Sequence, residues 1–252
     1  MTNLQEEKVN KIKTFNKEDW SSAYKNVEKE LTKESLFLSK GQHIKGLNGT
    51  LLRNGPGMLE RAGKWVHHPF DGDGMITAIK FEEGKPFLTN KFVKTKGYLE
   101  EEKNNKFIYR GVFGTQKAGG IINNALDLKL KNIANTHVVK LGDEILALWE
   151  AAGPHALDPN SLETIGLTTL KGVLKPNEAF SAHPKIDLNS KSSPELLVTF
   201  GVQTGPKSTI RLMEFTNSGD HRGELLIDRK DTFNGFAFLH DFAFTSNWAI
   251  FL

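Results

Sequence analysis

Cysteine is absent from this chain of 252 residues. Its absence excludes disulfides, thiolate zinc sites and a cysteine nucleophile, and it fits a reducing compartment. An excess of charge of one sign is missing too, because thirty-three Lys and Arg stand against thirty Asp and Glu, a formal net charge of +3. So even a balance makes no electrostatic footprint for a phosphate backbone, and nucleic acid is not an expected partner. Nowhere do about eighteen apolar residues run together, as a spanning helix requires. The opening MTNLQEEKVNKIKTF also lacks the apolar core of a secretory signal. These absences lead to the expectation of a cytoplasmic globular protein, with contact to a membrane limited to its surface. At 38% hydrophobic and 25% charged residues, the chain has material for one large domain or two small ones.

Within NKEDWSSAYKNVEKELTKE, Trp20, Tyr24, Val27 and Leu31 recur at helical spacing, with Asn16 or Asp19 as candidate caps. The spacing predicts one amphipathic helix in an N-terminal segment, residues 1–35. From residue 36 to 252 the texture is all-β: short β-branched or aromatic runs cut by Gly, Asn, Asp or Pro, as in TLLRNGPG, MITAIKF, FLTNKFVKT, KFIYRGVFG, THVVKL, ILALWE, LLVTFGV, TIRLMEF and WAIFL. Gly142-Asp143 predicts a two-residue hairpin turn, and the loop around Asn217 to Gly219 a looser one. Longer turn-rich stretches such as GPHALDPNSLETIG then separate groups of strands, a rhythm suited to the four-stranded blades of a propeller; a sandwich or barrel fits the same pattern. Residues 117–135 break the rhythm and read as a short helical insert carrying Ile121, Ile122, Leu126, Leu128 and Leu130.

Candidate chemistry rests on histidine. Of the eight, His43, His137 and His221 lie in polar or turn contexts without a partner at metal-binding spacing, and neighbouring His67 and His68 would point to opposite faces of a strand. His155 falls in a turn between strands. His183, in FSAHP, and His240, in FLHDF, sit among small and aromatic residues, and Pro184 biases His183 toward an extended backbone. Imidazole suits iron, copper, nickel or zinc, so the two read as half of a metal site. On the residues alone, buried histidines each satisfied by a backbone carbonyl are the favoured reading. Glu150 closes the apolar run ILALWE, where a carboxylate needs a partner; it fits the carboxylate that orients a metal-bound imidazole, or a plain structural hydrogen bond. HHPFDGDGMI offers Asp71 and Asp73 to calcium. An EF-hand loop, however, needs an oxygen ligand and a glycine where Met75 and Ile76 stand.

The segments RNGPG (53–57), HHPFDGDGMI (67–76), LWEAAGPHALDPNSLETIG (148–166), SAHP (181–184) and FLHDFAFT (238–245) together resemble the carotenoid cleavage oxygenases, the family of the retinal pigment epithelium isomerase. The likeness is strongest to cyanobacterial apocarotenoid oxygenases and runs from about Leu36 onward. It implies part of a seven-bladed β-propeller holding one Fe(II) on four histidines, with three glutamates around them. On the motif match His183 and His240 correspond to the first two ligands and Glu150 to the first glutamate; the remaining ligands and glutamates have no counterpart. The resemblance thus implies an N-terminal half, inactive by itself, of an enzyme that cleaves a carotenoid or apocarotenoid double bond with O₂. It also implies peripheral membrane contact through Ile121, Ile122, Leu126, Leu128 and Leu130. Two rivals stand beside it: a metal-free propeller that binds a partner, and a metal-dependent hydrolase, for which no suitably spaced carboxylate cluster is present.

Overall fold

The computed structural model describes residues 17–117, 130–188 and 195–251. Helix α1 (Lys17–Ala23) opens them and is much shorter than its apolar spacing predicts. Tertiary pairing overrides propensity beyond it. The Asn26 side chain accepts from Leu59 N and Glu60 N and donates to Glu60 O, Glu30 accepts from Phe92 N, and Leu31 enters a sheet.

That sheet is the first blade. It contains β1 (Leu31–Ser35), β2 (Gly49–Met58), β5 (Asp73–Glu82) and β6 (Lys85–Phe92) in the order β1-β6-β5-β2, with a small ribbon, β3 (Glu60–Arg61) and β4 (Lys64–Trp65), inserted after β2. Helix α2 (Lys96–Asn104) follows, capped by the Thr95 side chain and ended by Asn105 in the left-handed conformation. The second blade is β7 (His137–Leu141), β8 (Glu144–Leu148), β9 (His155–Leu157) and β10 (Thr164–Leu167); the third is β11 (Lys185–Asp187), β12 (Leu196–Gln203), β13 (Lys207–Thr216) and β14 (Leu225–Asn234). Each runs as an antiparallel meander. A further pair, β15 (Phe242–Phe244) and β16 (Ala249–Phe251), begins the next sheet. The all-β, bladed expectation holds.

Three details differ from the sequence-based expectation. KFIYRGVFG forms no strand beyond an isolated bridge from Arg110 to Leu130. GPHALDPNSLETIG lies within a blade, not between blades: His155–Leu157 is wholly buried, and Asp158 turns the chain by accepting from Asn160 N and Ser161 N. Of the expected insert, Ile121, Ile122, Leu126 and Leu128 lie outside the described residues, while Leu130 is 44% exposed.

Blades stack face to face because their middle strands are apolar on both sides. In β8, Ile145 and Ala147 pack against Ile76, Ala78 and Val93 of the first blade, whereas Leu146 and Leu148 pack against Leu197, Met213 and Phe215 of the third. Strand alternation thus welds one blade to two neighbours. On the far side of the third blade, Val198 and Phe200 meet Phe242, Phe244 and Phe251. Between α2 and the first blade lies a buried ionic cluster. Lys131 Nζ is 2.8 Å from Asp73 Oδ1 and 2.7 Å from Glu101 Oε2, and Arg61 reaches Asp73 at 3.3 Å and Glu101 at 3.7 Å. Asp71 is likewise occupied, accepting from Phe113 N, Thr115 N and the Thr115 hydroxyl. Neither aspartate is free for calcium.

Candidate metal centre

His183 and His240 are delivered by the same device on successive sheets. Each stands two residues before its sheet's first strand, His183 before Lys185 of β11 and His240 before Phe242 of β15. The two rings meet although 57 residues separate them, with Nε2 atoms 3.0 Å apart. The ring planes are inclined at 68°. Among the described residues, neither ring is paired with a backbone carbonyl, the partner that the reading as satisfied buried histidines calls for.

Behind His240, Glu150 Oε1 lies 3.0 Å from Nδ1. A carboxylate can only accept, so Nδ1 carries the proton and the His240 Nε2 lone pair faces forward. His183 Nε2 therefore donates to it when both rings are neutral. Glu150 itself sits just beyond β8, with a side chain 14% exposed, and Thr136 Oγ1 is 3.5 Å from its second oxygen. Burial, reinforced by the neighbouring His240, lowers the pKa of His183 and favours its neutral ring.

A separation of 3.0 Å is that of a hydrogen bond between the two ring nitrogens. Imidazole nitrogens are donors suited to a borderline divalent ion. Among the described residues, no group of three His, Asp, Glu or Cys side chains is arranged to hold a metal ion.

The model of the family described as "Retinal pigment epithelial membrane protein" matches residues 24–252. The chain belongs to this family of carotenoid oxygenases. Among family members, apocarotenoid-15,15'-oxygenase of Synechocystis sp. is 46% identical over 95% of this chain. A resveratrol cleavage oxygenase of Aspergillus fumigatus is 30% identical over 72% of this chain. A solved structure of cobalt-substituted Synechocystis apocarotenoid oxygenase superposes with a TM-score of 0.84 at 45% identity, covering 93% of this chain and 48% of that one. The fold is thus part of the family's seven-bladed β-propeller. The chain spans about half the length of the cyanobacterial relative, 49%, and 34% of the fungal one.

Other residues near the two rings carry weaker signals in the sequence. His137 opens β7 with its ring 6.3 Å from that of His183, not isolated as its context suggested. Burial, with His183 and Lys185 nearby, lowers its pKa. Hairpin register could have found it: pairing Leu141 with Glu144 sets His137 opposite Leu148 and brings Thr136 toward Glu150. The remaining histidines lie elsewhere. His155 is buried in β9, while His43 and His67 meet the Gly84 and Phe113 carbonyls, His68 accepts from Phe70 N, and His221 meets Glu224.

Proposed function

We propose that the chain supplies half of a non-haem iron(II) centre, with His183 and His240 as ligands and Glu150 orienting His240, and that the complete protein uses it to cleave a carotenoid or apocarotenoid double bond with O₂, giving carbonyl products. The observation that carries this reading is the convergence of two Nε2 atoms at 3.0 Å with a carboxylate behind one of them. Iron(II) bound there would supply O₂ activation beside the substrate. The chain's own residues do the rest: Glu150 fixes the tautomer of His240, and burial favours the neutral ring of His183. Phe238, 71% exposed, lies parallel to the His240 ring at 6.4 Å and offers a flat apolar surface to a polyene. Peripheral membrane contact through Ile121, Ile122, Leu126, Leu128 and Leu130 belongs to the same proposal, since a polyene partitions into lipid.

Anaerobic loading with Fe(II), metal determination and loss of polyene absorbance from apocarotenals test this in two stages. The 252-residue chain is expected to hold iron weakly and to leave apocarotenals intact, because two imidazoles do not fill an octahedral centre. A form extended to the length of the relatives is expected to bind one iron and bleach the polyene, losing both with His183→Ala or His240→Ala. Stoichiometric, tightly held iron in the shorter chain would overturn the half-centre; cleavage surviving both substitutions would overturn the oxygenase assignment. A metal-free binding propeller predicts no cleavage in any form and partner binding untouched by either substitution.

A further inference from the structure

β11 and β15 belong to different sheets, so no ladder hydrogen bond sets the distance between the segments carrying the two histidines. Ring separation at a metal centre must nevertheless be held to a fraction of an ångström. Besides the contact between the rings themselves, an ion pair bridges the gap. Lys185, the first residue of β11, places Nζ 2.8 Å from Oδ1 of Asp241, which directly follows His240. The same Asp241 oxygen accepts from Phe242 N at 2.7 Å, which fixes the carboxylate against its own backbone. The Lys185 ammonium also lies 5.9 Å from the centroid of the Phe242 ring, and Phe242 is buried in the core shared by the third blade and β15–β16. Both ends of the ion pair are therefore anchored on one buried residue.

We propose that Lys185 and Asp241 are positioning residues, a clamp that sets the spacing of His183 and His240 before any metal arrives. This rests on the metal-centre reading only for its purpose; the geometry it predicts exists without metal. With side chains 33% and 49% exposed, the pair adds little to global stability. Its effect is on the relative placement of two short segments. Lys185→Met keeps the aliphatic stem against Phe242 and removes the charge, Lys185→Arg keeps the charge, and Asp241→Asn removes the acceptor's charge.

Cu(II) is a suitable probe, because imidazole sites bind it more strongly than other first-row divalent ions. In the unaltered chain, electron paramagnetic resonance is expected to show coupling to two imidazole nitrogens. Lys185→Met and Asp241→Asn should weaken Cu(II) binding about two- to five-fold, the range open to an exposed ion pair, and diminish the second nitrogen coupling while circular dichroism stays unchanged. Lys185→Arg should retain both. Full affinity and both couplings in Lys185→Met and Asp241→Asn would overturn the clamp, as would failure of the arginine variant to behave like the parent. If the parent itself shows no histidine nitrogen coupling, the metal-centre reading fails, and the clamp is decided without metal: the nuclear Overhauser contact between the Hε1 protons of His183 and His240 should fade in Asp241→Asn, and its persistence would overturn the clamp.

Discussion

Replacing Lys131 by methionine should cost the fold several kcal/mol of stability, about 3–5. The buried cluster holds Arg61 and Lys131 against Asp73 and Glu101, two positive and two negative groups with side chains at most 6% exposed. Methionine approximates the volume of lysine but leaves Asp73 and Glu101 to the Arg61 guanidinium, which also serves Glu102 at 2.6 Å, so negative charge stays uncompensated away from water. Breaking a buried pair in this way costs about 3–5 kcal/mol, which for a domain of this size lowers the melting temperature by roughly 6–20 °C. Burial alone would push the Lys131 ammonium down, but Asp73 and Glu101 outweigh it and hold its pKa above the ordinary value. A raised pKa makes its contribution fully present below the unfolded-state pKa and lost only as pH rises past the folded one. The difference between parent and variant should accordingly be flat from neutrality to mild alkalinity. Urea unfolding followed by tryptophan fluorescence measures it, provided the slope against urea is unchanged. Adding Glu101→Gln to Lys131→Met rebalances the charge and should recover at least ~1 kcal/mol. A loss below about 1 kcal/mol for Lys131→Met, or further loss in the double variant, would refute the reasoning.

Burial holds the His155 imidazole down at about 4, so the folded state resists protonation that the unfolded chain accepts. Stability should fall by about 3 kcal/mol as pH drops from 7 through 4, and His155→Gln should flatten that slope in unfolding experiments at stepped pH. Glu150→Leu removes the acceptor behind His240. Divalent-metal affinity is expected to fall roughly 10–100-fold, and ¹⁵N spectra should show His240 released from the Nδ1–H tautomer. At Gly74, between β5 and residues 133–135, a Cβ would overlap the Ala134 carbonyl oxygen. Gly74→Ala should destabilise by about 1–3 kcal/mol in the same urea assay, because the opposing atom is backbone and cannot swing away.

Much of the blade pattern could be read from local signals. Gly142-Asp143 makes the expected turn, with Gly142 at φ 60°, the geometry of a first central glycine, and Leu141 pairs with Glu144 across it. Runs such as ILAL and LLVTF were legible because central strands buried on both faces are uniformly apolar. Strands of three residues, His155–Leu157, Lys185–Asp187 and Phe242–Phe244, are too short to show a period and escaped. The N-terminal helix was overdrawn for the opposite reason: its period is real, but Leu31 is claimed by β6. At the site, His183, His240 and Glu150 stood out by context, and the structure brings all three together. Lys185, Asp241, Thr136 and His137 did not, since their partners lie on other strands and only the closed geometry makes them neighbours.

The position two residues ahead of β11 and of β15 carries a histidine, and the same position ahead of β7 carries a different kind of side chain. In the second blade Asn135 fills it, and there the side chain is spent on bridging the carbonyls of Phe70 and Gly72 at 3.0 and 2.8 Å. The scaffold thus separates what a vane contributes from how the vane is built: one can present a ring, its neighbour a strut, with no change in strand pairing.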